Sequence, residues 1–152
     1  MEKTEWSRDE YLLSTDKSKI DVLIVQDFLS HSYWAENIPL ETVQKSIDNS
    51  LCFAIYRNNE LIGFARVISD FATFAYLADV FILPGERGKG LSKWLITTIM
   101  DYPQLQGLRR FTLATRDAHG LYAQFGFTRF DNPERWMQKH DPDVYKKNAN
   151  HG

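Results

Sequence analysis

The chain has 152 residues, of which 43% are hydrophobic and 14% aromatic, enough to fill the core of one globular domain. Its 18 basic and 20 acidic residues leave a net charge of -2, which gives no electrostatic reason to expect a nucleic-acid or membrane partner. The first residues are charged, and no apolar run reaches the length of a membrane span, so we expect a cytoplasmic protein. Cys52, the only cysteine, lies in an apolar run and is expected to be a buried, unreactive thiol.

The first half of the chain predicts a short strand, two helices and a hairpin. The strand covers residues 11–14, and the spacing of Ser18 and Asp21 then matches a capping box ahead of an amphipathic helix. Pro39 suits the first turn of a second helix that ends near Asn49. Two strand-like runs separated by polar residues predict an antiparallel hairpin, and they cover residues 51–57 and 61–69.

The second half predicts a long strand, a glycine loop, and further helices and strands. Residues 74–83 are too continuously apolar for a surface strand, which indicates a strand buried in the middle of a sheet. The next elements are the loop PGERGKGLS at 84–92, a helix ending near Asp101, a strand at 109–114, a short helix at 118–125 and a closing strand from Phe127 onward. This order is typical of one α/β or α+β domain over residues 4–140, followed by a polar tail at 141–152.

The glycine loop at the junction of a strand and a helix is the strongest candidate for a ligand site. Such a loop presents backbone N–H groups at the positive end of the helix dipole, which favours phosphate. It is not a Walker loop, because Gly90 follows Lys89 where serine or threonine is required. The dinucleotide fingerprint fits poorly, because Lys93 stands where its third glycine belongs. A plain tight turn remains open at this point.

Two segments resemble the GNAT superfamily of N-acetyltransferases. VFILPGERGKGLSKWL, residues 80–95, resembles the acyl-CoA-binding motif of that family, with Arg87 and Gly90 at its first and fourth positions and Ser92 in place of a final glycine or alanine. AHGLYAQFGF, residues 118–127, resembles the family segment A-x-x-L-Y-x-x-x-G-F. Thr115 replaces the asparagine that commonly precedes that segment. With the order of elements, the resemblance covers roughly residues 10 to 138.

The resemblance implies a fold and a cosubstrate. The fold is a single-domain α/β (α+β) fold with a mixed, mostly antiparallel central sheet flanked by helices. The cosubstrate is acetyl-CoA, with no metal, and its pantetheine arm pairs like an added strand with the backbone near Val80 and Ile82. The residues implied in binding the pyrophosphate are Arg87, Gly88, Lys89, Gly90, Leu91 and Ser92.

The implied reaction is direct attack of a primary amine on acetyl-CoA in a ternary complex. An amine with a lysine-like pKa of about 10.4 is almost entirely protonated at neutral pH, so a base must remove its proton. Asp79, the only acid of its predicted strand, is the candidate base, and a hydrogen-bonded structural role is the alternative. Without a bulge, strand alternation points it away from the face of Val80 and Ile82. Tyr122 matches the family tyrosine that often donates a proton to the departing CoA thiolate, and an aromatic core contact is its alternative role. The rival bases are Asp70, Glu36 and His119.

The acceptor is expected near the segment HSYWAEN, where the variable acceptor-binding helices of the family meet. Tyr33 and Trp34 are candidates for covering an aromatic or cationic amine, and packing of the helices on the sheet is the alternative role for both. The leading hypothesis is an N-acetyltransferase acting on a small-molecule or protein amine, with a homodimer as one form of the protein. The alternative is a catalytically silent domain that binds acyl-CoA or a partner.

Overall fold

The computed structural model describes residues 3–146, which form one six-stranded sheet with helices on both faces. The strands are β1 (Glu5–Arg8), β2 (Tyr11–Ser14), β3 (Leu51–Arg57), β4 (Glu60–Ser69), β5 (Phe74–Ile82) and β6 (Arg110–Leu113). The helices are α1 (Val22–Ser30), α2 (Leu40–Asp48), α3 (Leu91–Met100) and α4 (His119–Ala123). The strands lie in sequence order, and all neighbours are antiparallel except β5 and β6, which are parallel. The predicted mixed, mostly antiparallel sheet of an α/β (α+β) domain is confirmed.

The central hairpin is set by an asparagine turn. Asn58 and Asn59 connect β3 to β4 with φ angles of 52° and 67°, the left-handed region that asparagine tolerates better than most residues. The register runs from Arg57 opposite Glu60 to Leu51 opposite Val67. The predicted hairpin is therefore confirmed, with β4 beginning one residue earlier than expected.

The first two helices begin at different caps from those that the sequence suggested. Asp21 is the N-cap of α1, and its carboxylate accepts hydrogen bonds from the backbone N–H groups of Leu23 and Ile24. The predicted capping box is wrong, because Ser18 lies in a separate single turn that Asp16 caps. Pro39 immediately precedes α2 as its N-cap, and Asn49 ends that helix as expected.

Side-chain alternation along β3 divides the core into two layers. Every residue from Leu51 to Tyr56 is buried, because β3 is covered on both faces. The side chains that pack with α3 and α4 are Leu51, Phe53 and Ile55. Those that pack with α1 and α2 are Cys52, Ala54 and Tyr56. The sheet thus separates the α1 and α2 layer from the glycine-loop layer.

Strand β5 is paired along most of its length on one side and along less than half of it on the other. It pairs with β4 from Ala75 to Ile82, but with β6 only from Phe74 to Leu77. From Ala78 onward its other edge has no strand partner among the described residues. The register with β4 also shifts between Phe64 and Arg66, where the bulge puts Asp79 and Val80 on β5 opposite one residue of β4.

The described structure differs from the predicted strands at both ends of the domain. The N-terminal strand β1 escaped detection, because its four residues EWSR carry no apolar alternation. The closing strand from Phe127 onward is wrong for the described residues, since the chain there forms no strand. Phe127 instead packs its ring against Phe111 and Tyr122 at centroid distances of 5.7 and 5.9 Å.

The end of the chain is only partly within the described structure. Of the predicted polar tail, residues 147–152 lie outside the described residues. Tyr145 is half-buried against the α1 and α2 layer, so the tail begins in contact with the domain. Within residues 3–146, no helix combines the length and the apolar character that spanning a membrane requires.

Candidate functional site

The glycine loop leaves an open, uncapped start to α3. Gly88 and Gly90 have φ angles of 81° and 77°, a region that residues with a side chain rarely adopt. Gly85 has no such backbone constraint. Gly90 is the N-cap of α3, and no side chain caps the helix. The first N–H groups of α3 therefore face a space in which a ligand can accept their hydrogen bonds.

A cavity of about 180 Å³ lies over this loop. Six of the eight residues predicted to bind the cofactor line this cavity: Ile82, Arg87, Gly88, Gly90, Leu91 and Ser92. Arg87 lies along its wall, where the Nε atom donates a hydrogen bond of 3.0 Å to the Ile82 carbonyl. Val80 packs against the α3 and α4 layer and Lys89 bonds elsewhere, so neither lines the cavity.

Lys89 is held by a buried carboxylate at the base of the loop. Glu86 is only 4% exposed, and its Oε2 atom accepts hydrogen bonds from the Tyr11 hydroxyl at 2.8 Å and from Lys89 Nζ at 3.0 Å. Arg57 forms a salt bridge with the other carboxylate oxygen. The hydrogen bonds from Tyr11 and Lys89 lower the pKa of Glu86, which keeps the side chain ionised at neutral pH. The loop is thereby anchored to β2 and β3.

Asp79 occupies the bulge of β5 with a φ of 55°. Its Oδ2 accepts a hydrogen bond of 2.8 Å from Arg66 Nε, and its Oδ1 accepts one of 2.9 Å from Trp34 Nε1. Arg66 also donates to Ser50 Oγ, which follows α2, so the carboxylate lies on the α1 and α2 face. Asp79 therefore lies on the face opposite to Val80 and Ile82, as expected, but within a bulge that simple strand alternation does not include. Each carboxylate oxygen already accepts a hydrogen bond, which gives Asp79 a structural role whatever its part in proton transfer.

The predicted acceptor residues lie beside a second cavity of about 450 Å³. Asp27, Phe28, residues 31–34 and Arg116 line it. Tyr33 and Trp34 are 52% and 43% exposed, so both present aromatic surface to the solvent side of the cavity. The Arg116 guanidinium lies 3.9 Å from the centre of the Tyr33 ring, and the Arg116 backbone N–H donates to the Tyr33 hydroxyl.

Tyr122 lies in α4, 8% exposed, within the core layer of α3. Burial, followed by the proximity of Tyr33, raises the pKa of Tyr122. A raised pKa keeps the phenol protonated at neutral pH, which a proton donor requires. Thr115, in place of the family asparagine, accepts a hydrogen bond from the Ala118 N–H and turns the chain into α4.

The rival bases have ordinary structural positions. Asp70 accepts hydrogen bonds from the backbone N–H groups of Thr73, Ala72 and Phe74, which hold its pKa well below the usual range. Glu36 and His119 lie at the surface. Cys52 is buried, as expected, and burial raises the pKa of its thiol to about 12, which makes the thiol unreactive.

Comparison with known proteins decides the family. The model of the acetyltransferase (GNAT) family matches residues 22–127, more than half of the chain. The chain belongs to this family. A presumed acetyltransferase of Gibberella zeae is 32% identical to this GNAT protein over 142 residues, which cover 78% of the chain and 79% of the relative.

Solved structures of GNAT proteins share the fold. A presumed GNAT acetyltransferase from Xanthomonas campestris pv. campestris is 51% identical, with a TM-score of 0.87 and coverage of 89% of this chain and 96% of its own. A presumed acetyltransferase of Clostridium acetobutylicum, solved with acetyl-CoA, is 15% identical. It covers 86% of this chain and 94% of its own with a TM-score of 0.66, a likeness of fold alone.

Sequence reasoning missed several residues of this GNAT site. Glu86 was visible as an acid inside a basic loop, but its partner Tyr11 lies 75 residues away. Arg66 carried a usable signal, because it and Asp79 are opposite charges in apolar runs predicted as strands, and such charges require a partner. Arg116 carried no such signal in the sequence, because its partner Tyr33 lies 83 residues away. Within residues 3–146, no group of three or more His, Cys, Asp or Glu side chains is placed to hold a metal ion.

The ionised form of Glu86 stabilises the fold, which gives a pH dependence. Because the folded protein lowers the pKa of Glu86 from its usual 4.5, this stabilisation is present above that value and is lost as the pH falls. We expect Glu86→Gln to lower the melting temperature most at neutral pH, with the difference from wild type shrinking on acidification below about 4.5. Glu41→Gln, an exposed change, is the control. A difference that does not vary with pH would contradict the assignment.

Proposed function

We propose that this protein transfers the acetyl group of acetyl-CoA to a primary amine by direct attack in a ternary complex. The observation that carries the proposal is the unpaired edge of β5 leading directly into an uncapped glycine loop. A pantetheine arm can add to that edge as a strand would, and a pyrophosphate can accept hydrogen bonds from the start of α3. Membership of the acetyltransferase family and a fold shared with a protein solved with acetyl-CoA support it.

The cosubstrate binds along one continuous path. The pantetheine arm follows the backbone of β5 near Val80 and Ile82, beyond the point where β6 ceases to pair. The pyrophosphate lies in the 180 Å³ cavity against Gly88 to Ser92. The φ angles of Gly88 and Gly90 are positive, and a Cβ added at Gly88 would meet no atom of the described residues within 4 Å, so the loop is open at that position.

The acceptor amine enters from the other cavity. Tyr33 and Trp34 form its aromatic wall, and cation–π contact with either ring suits an amine in its charged form before reaction. The acceptor is a small molecule or a protein side chain. The loop that carries these residues contacts β5 through Asp79 and the segment before α4 through Arg116, so it bridges the gap beside the open edge of β5.

The reaction requires the amine to lose one proton before attack and another after it, and the thiolate to gain one. Asp79 remains the candidate base that takes the first proton from the ammonium group. The neutral nitrogen then attacks the thioester carbonyl carbon and releases its second proton to water. Collapse of the tetrahedral intermediate breaks the carbon–sulfur bond. The thiolate then takes a proton from the Tyr122 hydroxyl, which its buried position keeps protonated until that step.

The proposal is tested by binding and thiol release, with the loop as the variable. We expect wild type to bind acetyl-CoA in calorimetry and to release free CoA thiol with at least one member of a primary-amine panel. Gly90→Glu should abolish both, because the carboxylate would occupy the pyrophosphate position and repel it. Gly90→Ala is the first control, because it adds a side chain at the same positive φ without adding a charge. Gly85→Glu is the second control, because it adds the same charge at a loop position that does not line the cavity.

Three outcomes contradict different parts of the proposal. Undiminished acetyl-CoA binding by Gly90→Glu would remove the loop as the phosphate site. Binding without thiol release from any amine would favour a catalytically silent acyl-CoA-binding domain. Equal loss in Gly85→Glu and Gly90→Glu would show a general effect of charge rather than occupation of the cavity.

Asp79→Asn tests the base. Asparagine tolerates positive φ, so the bulge should persist while the side chain can no longer accept a proton. We expect turnover to fall by about 10²- to 10⁴-fold at neutral pH, with little change in acetyl-CoA affinity and recovery at high pH where the amine deprotonates unaided. Trp34→Phe removes the indole donor and leaves the carboxylate. Equal defects in the two variants, with no recovery at high pH, would instead assign Asp79 to holding Trp34 in place.

Tyr122→Phe tests the proton donor. The ring and its packing against Phe127 are kept, so folding and acetyl-CoA affinity should stay near those of wild type. A thiolate with a cysteine-like pKa of about 8.5 leaves tolerably unaided, so we expect turnover to fall by about 10²-fold, the low end for general-acid assistance. Tyr102→Phe, in the same core layer, is the matched control. Wild-type turnover in Tyr122→Phe would reduce Tyr122 to a packing residue.

A further inference from the structure

The β1 and β2 hairpin reaches the glycine loop although it lies outside the family-matched residues 22–127. Arg8 ends β1, and its Nη2 atom lies 3.6 Å from the position that a Cβ on Gly90 would take. The same guanidinium lies 5.8 Å from the centre of the Trp94 ring, in the first turns of α3. Arg8 therefore places a positive charge directly beside the uncapped start of that helix.

The charge of Arg8 is not neutralised by a neighbouring carboxylate. Within residues 3–146, no salt bridge or side-chain hydrogen bond engages the Arg8 guanidinium, and the side chain is exposed. The neighbouring cations Arg57 and Lys89 differ, because both bind the buried carboxylate of Glu86. A solvated arginine held against a loop of backbone N–H groups is suited to an anionic ligand, since its planar fork matches phosphate oxygens.

The position of Arg8 is fixed by a second contact of the same hairpin. Tyr11 stands opposite Arg8 in the register of β1 and β2. The Tyr11 hydroxyl donates to Glu86 at 2.8 Å, and Lys89 Nζ donates to that hydroxyl at 3.4 Å. The end of the hairpin is thus tied to the base of the glycine loop, so the backbone of Arg8, whose side chain reaches Gly90, is held in place.

We infer that Arg8 is a phosphate-binding residue of the acetyl-CoA site and that the N-terminal hairpin forms one wall of this site. The inference rests on the proposed function, since it concerns the same loop. Its chemistry is a charge-assisted contact from the guanidinium to a phosphate of the cosubstrate, added to the hydrogen bonds from the start of α3. The source of that phosphate is either the diphosphate or the 3′-phosphate.

The test is calorimetric titration of wild type, Arg8→Ala and Arg8→Lys with acetyl-CoA and with 3′-dephospho-acetyl-CoA. We expect Arg8→Ala to raise the dissociation constant for acetyl-CoA about tenfold, as loss of one charge-assisted contact implies, and Arg8→Lys to recover part of it. Added salt should reduce the difference between wild type and Arg8→Ala. A difference that disappears with the dephospho compound assigns the contact to the 3′-phosphate, and one that persists assigns it to the diphosphate.

The control is Arg110→Ala, which removes another exposed strand arginine that lies over aromatic rings, those of Phe130 and Trp136. Its affinity should match that of wild type. An Arg8→Ala affinity equal to the control would overturn the inference. So would a loss that neither salt nor Arg8→Lys alters, because that result indicates packing on Trp94 rather than charge. If wild type does not bind acetyl-CoA, the proposed function fails as well, whereas failure of this inference alone leaves binding sensitive to Gly90→Glu.

Discussion

The separation of β5 from β6 after Leu77 is the constraint on which the rest of the structure depends. Two parallel strands need a crossover between them, and here the crossover is the glycine loop with α3. The loop must therefore begin at the end of β5 whose edge is unpaired. An exposed edge and an uncapped helix start consequently lie end to end, which is the arrangement that a ligand with an extended arm and an anionic end requires.

A buried charge pair stabilises the strand at the point where it loses its partner. Asp79 and Arg66 are both largely buried, and their mutual salt bridge offsets the cost of removing each charge from water. The bulge inserts one extra residue into β5 at Asp79 and Val80, and this puts the Asp79 side chain on the α1 and α2 face beside Arg66. After the bulge, Phe81 and Ile82 again alternate between the two core layers. The same bulge gives Trp34 its hydrogen-bond partner, so the wall of the 450 Å³ cavity depends on a feature of β5.

The sequence predicts those elements of the fold whose signals come from residues close together along the chain. The asparagine turn of the central hairpin, the apolar run of β5 and the glycines before α3 are local signals, and the hairpin, the strand and the loop that they predict are confirmed as elements. The expectation that β5 lies buried in mid-sheet is wrong in part, because β5 is fifth of the six strands and several of its residues are only half-buried. The ligand site at the glycines stays a prediction. The strand predicted from Phe127 was wrong because its aromatic residue finds ring partners in Phe111 and Tyr122 rather than a strand to pair with. Glu86 and Arg8 could not be placed from the sequence, because their contacts are with residues far away along the chain and no local pattern predicts such contacts.

The two halves of the site differ in how firmly they are held. At the glycine loop, the buried carboxylate of Glu86 binds three partners, which are Tyr11, Lys89 and Arg57. These contacts hold the loop against β2 and β3. Around the acceptor cavity, Tyr33 and Trp34 remain about half exposed, each with a single polar contact to the framework. The exposed side chains of Tyr33 and Trp34 reach the framework through Arg116 and Asp79, and neither of these contacts involves the glycine loop. In the proposed function, the residues that contact the acceptor and those that hold the cosubstrate are therefore structurally separate, so a change at Tyr33 or Trp34 leaves the glycine loop in place.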